Sequence, residues 1–257
     1  KTPENSGIKG DHLVGDFYVL FEQKTKEEYD AWQQSSEASA IFENRGKKEQ
    51  TEKEFFKDYK NKWFNEHSVL GAEVREMLLK WEAHDPDTVA LWKQMNGWVY
   101  QGFDRTYSDL GVSFDKLYYE SDTYLLGKDI VEDGLSKGVF FKKDDGSVWI
   151  DLTDAGYDQK IVLRADGTSV YITQDLGTAR MRYHDFGCDR FVYVVADEQN
   201  YHFQVLFEIL KRLGEPYAAG LHHLSYGLVE LPTGRMKTRE GTVVDADDLI
   251  EELIRIA

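Results

Sequence analysis

One cysteine, Cys188, is all the thiol that the 257 residues carry. It excludes an internal disulfide and a zinc site built from cysteines alone, so a reducing cytoplasm is the expected compartment. No apolar run in the sequence approaches the roughly 20 residues of a membrane span. Basic charge is scarce as well: 31 Lys and Arg stand against 47 Asp and Glu, a formal net charge of -16. Unspecific phosphate binding needs a basic face, so this balance argues against a general nucleic-acid surface, though not against a few local basic contacts. The excess of acid is spread, with 15 basic and 21 acidic residues in 1–110 and 16 and 26 in 111–257, and it reads mainly as solubility.

Familiar short motifs are missing too. There is no GxGxxG, no Walker lysine loop, no HExxH and no CxxC. Ser225 lacks the first glycine of a nucleophile elbow, because His223 stands there. His222 and His223 are neighbours on an expected strand and would point to opposite faces, so they do not chelate together. Asp144 and Asp145 lack calcium-loop spacing, and no metal site is expected. What the chain does have is apolar area. Aromatics make up 14%, with 15 Tyr, 14 Phe and 6 Trp, which excludes intrinsic disorder. Its length suits one large domain or two modest ones. The sequence opens Lys1-Thr2-Pro3, without a Met or a basic-then-apolar leader, and is expected to be a piece of a longer polypeptide.

Glycine divides the chain: six lie in residues 1–100 and fifteen in 101–257. Residues 27–62 are almost all charged, Gln, Ala or aromatic, and read as helical, with 47–54 a solvated helix face or a loop. Apolar residues at 74, 77, 78 and 81 have the spacing of one buried helix face. Asp87 is the expected cap of the next helix, which carries Val89, Leu91 and Trp92. From residue 138 the pattern turns to short β-rich runs at 138–142, 147–152, 160–165 and 168–172. Asp144-Asp145-Gly146 and Asp166-Gly167 are the turn signals between them. A helix is expected at 173–183, a buried strand at 190–196, and a helix at 199–213 with apolar residues at 203, 206, 207 and 210. A strand follows at 221–231, and Asp245 caps a last helix at 246–254. Strands alternating with helices over 168–231 predict an α/β fold with part of a parallel sheet. Three strands make half of a doubly wound sheet.

Ligands of open parallel sheets bind beyond the carboxyl ends of the strands. That rule gathers Tyr171, Asp175, Gln199 and His202 along one edge. A carboxylate, an amide and a phenol together suit a cationic ligand with many donors, such as a guanidinium. Each residue also has an ordinary reading: Asp175 as a first-turn acid that complements the helix dipole, Tyr171 as a core residue, Gln199 as an exposed amide. A second feature is 234–241, Gly-Arg-Met-Lys-Thr-Arg-Glu-Gly, where three bases meet one acid between glycines. A basic mobile loop at that sheet edge would neutralise phosphates in phosphoryl-transfer chemistry; a solvated turn is the alternative.

Four segments in order carry a resemblance: Tyr171-Ile172-Thr173-Gln174-Asp175-Leu176-Gly177-Thr178-Ala179, Tyr193-Val194-Val195-Ala196-Asp197-Glu198-Gln199, His223-Leu224-Ser225-Tyr226-Gly227-Leu228-Val229, and Met236-Lys237-Thr238-Arg239-Glu240-Gly241-Thr242-Val243-Val244. Together they resemble the later half of the class I arginyl-tRNA synthetase catalytic domain. Gly10-Asp11-His12-Leu13-Val14-Gly15-Asp16 is similar to the family's bacterial branch, a weaker signal.

The resemblance implies an arginine-tRNA ligase that activates L-arginine with ATP, carried with Mg2+, and transfers it to tRNA(Arg). It implies the second half of a Rossmann-like parallel sheet at 168–257, preceded by a mostly helical insertion at 1–137 and a small antiparallel β part at 138–167. Tyr171, Asp175 and Gln199 match residues that hold the substrate arginine, with Asp175 facing the guanidinium. His202, His223, Gly227, Leu228, Val229 and Met236 fall on the ATP side. Arg235 to Arg239 occupies the KMSKS loop; Met236 alone keeps that consensus, with Arg235 and Thr238 at its lysine positions. Lys237 and Arg239, with Arg235, are the candidates for phosphate contact. No His-x-Gly-His occurs in the sequence. The HIGH signature would precede Lys1 and the anticodon-binding domain would follow Ala257, so the chain alone is expected to be inactive. A non-catalytic arginine-binding module or assembly factor is the alternative.

Overall fold

Short side-chain oxygens mark where several of the helices begin. The computed structural model describes residues 1–47, 49–123, 126–228, 230–231, 234–235 and 244–257. The chain divides into two compact units, residues 1–113 with 231–257, and residues 114–230. The first unit opens with α1 (Pro3–Ser6), α2 (Gly10–Gln33), α3 (Ser36–Arg45), α4 (Glu52–Glu66), α5 (Val69–Glu82) and α6 (Pro86–Asp109). The helical stretch expected at 27–62 is therefore interrupted twice. Ser35 accepts the Ala38 N–H at 3.2 Å and restarts the chain as α3. Thr51 and Glu54 form a reciprocal capping box that starts α4. Residue 48, inside the run read as solvated, lies outside the described residues. The cap of α6 is Asp85, whose Oδ1 accepts from Thr88 at 2.9 Å, rather than Asp87. Pro86 follows at the first helical position, where a missing N–H costs nothing.

Aromatic packing builds the core of this unit. Trp63 is fully buried and Tyr29, Phe55, Phe56 and Tyr59 are buried around it. Trp32 stacks on Tyr59 with ring centres 6.0 Å apart. The stripe at 74, 77, 78 and 81 corrects an expectation: it is helical, but its face stays open. Val74 is 41% exposed, Met77 54% and Leu78 53%. With Trp81, Leu91 and Trp92 they line a groove of 420 Å3 between α5 and α6. Periodicity reports a face that needs covering, not what covers it.

The second unit holds α7 (Glu120–Thr123) and α8 (Gly127–Ser136), then β1 (Phe141–Lys142), β2 (Val148–Ile150) and β3 (Lys160–Leu163). These strands form an antiparallel sheet in the order β1-β2-β3, turning at Gly146 with φ 89. Next come α9 (Tyr171–Phe186), β4 (Phe191–Ala196), α10 (Asn200–Leu213) and β5 (Leu221–Tyr226). β4 and β5 run parallel, in register from Phe191↔Leu221 to Ala196↔Tyr226. The strand expected at 168–172 does not join them. Ser169 bridges antiparallel to Leu163 across the Asp166-Gly167 turn, and the helix has begun by Tyr171. The Thr173 hydroxyl donates to the Val162 carbonyl and accepts from the Val170 N–H at 3.3 Å, which holds that start against β3.

Nor is β4 covered on both faces. Phe191, Tyr193 and Val195 pack on the α10 side, while Val192 is 59% and Val194 62% exposed. The core here runs through Leu176, Ala179, Leu206, Ile209 and Leu210, all fully buried. The strand expected at 221–231 ends at Tyr226, and Glu230–Leu231 forms β6, paired with β7 (Gly234–Arg235). The last helix is α11 (Ala246–Ile256), capped as expected by Asp245, which accepts from the Asp248 N–H at 2.9 Å.

Candidate functional site

Two glycines let α9 reach its place. A Cβ on Gly127 would stand 2.4 Å from the Thr173 carbonyl oxygen, and one on Gly177 would stand 2.6 Å from the Leu126 carbonyl carbon. Only glycine permits α8 and α9 this approach, and it sets the height of the first two turns of α9. Asp175 projects from those turns. It is partly exposed, and its Oδ2 accepts a hydrogen bond from Nε2 of His202 at 2.7 Å. His202 sits in the first turn of α10, on the other element that ends at this edge.

The sequence grouped Tyr171, Asp175, Gln199 and His202 here, and the structure places them unequally. Asp175 and His202 touch. Tyr171 opens α9, is 79% exposed, and shares with His202 the lining of a 280 Å3 cavity. Gln199 is exposed immediately before α10, and no hydrogen bond joins it to Asp175 among the described residues. His202 lies edge-on to Phe203, 5.6 Å between ring centres. Phe203 in turn covers His223 at 4.3 Å, and His223 donates from Nε2 to the Val195 carbonyl at 2.9 Å. Hence one phenylalanine packs against both histidines. Behind them, burial pushes the Tyr193 phenol above its ordinary range. The Arg182 guanidinium, 5.7 Å from that ring, pulls the other way, and the charge of Asp175 adds to the rise.

Such an edge, with a carboxylate held by a single donor and its second oxygen without a partner among the described residues, accepts donors. The comparisons with known proteins agree in one direction. The sequence pattern described as "tRNA synthetases class I (R), catalytic domain" matches residues 37–257. The chain belongs to that family. It is 56% identical over its whole length to the arginine–tRNA ligase of Amoebophilus asiaticus (strain 5a2) and 54% identical to that of Bacteroides thetaiotaomicron. It spans 39% of the length of each. The Thermus thermophilus arginyl-tRNA synthetase structure superposes with a TM-score of 0.53 at 18% identity, over 73% of this chain and 40% of that one. At that identity the likeness is one of fold.

The remaining family positions are described only in part. Gly227 and Leu228 follow the end of β5 and are exposed. Val229, Met236, Lys237 and Arg239 lie outside the described residues, and of Arg235 only the strand position in β7 is described. Two features escaped the sequence reading. Tyr201 donates to Asp158 at 2.8 Å and carries the Lys160 ammonium 4.6 Å from its ring centre, walling the cavity beside Tyr171. In the first unit, Asp11, His12 and Asp247 are the one group with metal-ligand spacing among the described residues. Lys9 already serves as its cation, donating to Oδ2 of both aspartates. A single sequence contains no signal for either, because each joins residues far apart in the chain.

Proposed function

We propose that the chain is the amino-acid-receiving part of an arginine-tRNA ligase catalytic domain, with the Asp175 carboxylate facing the guanidinium of L-arginine. The supporting observation is the carboxylate at the α9–α10 edge, partly exposed and with one oxygen free of any described partner. An ionised carboxylate accepts two parallel N–H bonds from a guanidinium, which gives both affinity and orientation. On this reading Tyr171 and Gln199 add a phenol and an amide to the same pocket. Residues 1–137 act as the insertion, 138–167 as the β-rich connection and 168–257 as the second half of the nucleotide-binding fold.

In the activation step the arginine carboxylate oxygen attacks the α-phosphorus of ATP in line, and the bond to the bridging oxygen breaks to release pyrophosphate. The resulting arginyl-adenylate then passes its acyl group to a hydroxyl of the terminal adenosine of tRNA(Arg), and AMP leaves. The role of the protein in the first step is positioning and charge stabilisation rather than covalent participation. His223, Gly227, Leu228, Val229 and Met236 form the adenosine side, and Lys237, Arg239 and Arg235 meet the phosphates. Mg2+ would arrive with the nucleotide as its counter-ion; the described residues of the second unit present no cluster of carboxylates and histidines for it, and no step is assigned to it. The cytoplasm is the compartment that fits these substrates.

Arginine-dependent exchange of labelled pyrophosphate into ATP tests the reading. The complete gene product carrying this chain should exchange with arginine and not with lysine, and the 257-residue chain alone should not exchange. No exchange by the complete product, with arginine still bound, would favour a non-catalytic arginine-binding module.

A further inference from the structure

Asp175 bears a short side chain on a helix surface and is 46% exposed, so packing alone does not select its carboxylate plane. Bidentate recognition of a guanidinium demands that plane. Among the described residues, the hydrogen bond that restrains it comes from His202. We propose that His202 is the positioning residue of this pocket, fixing the Asp175 carboxylate so that its outer oxygens meet a guanidinium fork rather than a point-like ammonium. The inference rests on the arginine reading above and assigns His202 to the amino-acid side rather than to ATP.

Three features support it. First, the contact joins two elements, α9 and α10, that share one core; Leu176 and Leu206 are both fully buried in it. Second, the imidazole is itself restrained. It is 27% exposed and lies edge-on to Phe203, which is pinned in turn by His223 on β5. A donor held by rigid neighbours transmits that rigidity to its acceptor. Third, the bond engages one lone pair of Oδ2 and leaves Oδ1 without a described partner. A carboxylate has about four acceptor sites, so a guanidinium still finds two of them when His202 occupies one.

Steady-state pyrophosphate exchange by the complete gene product tests this with four variants. His202→Phe keeps a ring against Phe203 and removes the donor; it should raise the KM for arginine about tenfold and change the KM for ATP less than about twofold. His202→Gln, whose amide N–H can reach the same oxygen, should recover most of that loss. His202→Leu serves where His202→Phe does not fold, by the same comparison with Gln. A purely structural role would lower kcat through the active fraction and leave both KM values in place, and a nucleotide role would raise the KM for ATP; either result overturns the proposal. Asp175→Asn is the control. A raised arginine KM in Asp175→Asn with none in His202→Phe or His202→Leu removes His202 alone, whereas an unchanged KM in Asp175→Asn removes the arginine pocket.

Discussion

Lys9 and Asp247, 238 positions apart, share a hydrogen-bonded ion pair that ties the last helix to the start of the second. Thr106 adds a bond to the other carboxylate oxygen at 2.8 Å, and His12 Nε2 stands 3.0 Å away. The Lys9 bond holds the Asp247 carboxyl below the usual carboxylate range; desolvation opposes it, and Thr106 adds to the lowering. A carboxylate depressed on folding stabilises the native state above its unfolded pKa of about 3.9, and the contribution disappears as pH falls through the lower folded value. Asp247→Asn should therefore cost about 1 kcal/mol at pH 7. That penalty should shrink once the pH drops below about 4. Urea unfolding at several pH values measures it, and a pH-independent penalty would contradict the ion-pair account.

Close approach at glycine gives a second expectation. Gly127→Ala places a methyl against the Thr173 carbonyl, which cannot retreat because the Thr173 hydroxyl is tied to β3. It should destabilise by about 1–3 kcal/mol, the cost of overpacking. Gly97 on α6 has open space around its missing Cβ. Gly97→Ala there should be neutral or stabilising by up to about 1 kcal/mol. Thermal unfolding should place Gly127→Ala well below the wild type and Gly97→Ala at or above it.

A buried carboxylate provides the third. Glu215 is 8% exposed and accepts from Arg180 Nε at 3.0 Å, while the same guanidinium reaches Asp133 at 2.8 Å. The residue after the Gly214 cap of α10 is thereby locked to α9, the helix that carries Asp175. Arg180→Met leaves that charge without its partner and should cost about 3 kcal/mol. Adding Glu215→Leu to it should recover part of the loss. A double variant less stable than Arg180→Met would contradict the argument.

Residues that act locally were legible in the sequence. The apolar stripe through Phe203, Leu206 and Leu210 predicted α10, and Asp245 predicted the cap of α11. Ser169-Val170-Tyr171-Ile172 misled because β-branched and aromatic side chains favour strands, while the choice there is made by Thr173 bonding to a carbonyl on β3. The stripe at 74, 77 and 78 was right in period and wrong in burial, since covering a face takes a partner that periodicity cannot name. For the site, Asp175 and His202 were grouped through a strand at 168–172 that does not form, and their bond depends on side-chain directions that sequence does not carry. The Lys9–Asp247 pair was beyond reach for a simpler reason. Nothing local marks two residues at opposite ends of a chain as neighbours.

Calorimetry of L-arginine binding to the complete gene product, wild type against Asp175→Asn, tests the guanidinium pocket most directly. Removing the charge from that hydrogen bond should weaken binding by about 1.5–3 kcal/mol, roughly tenfold to a hundredfold in Kd, with ATP affinity retained. Equal arginine affinity in the two proteins would contradict the role given to Asp175, and with it the pocket.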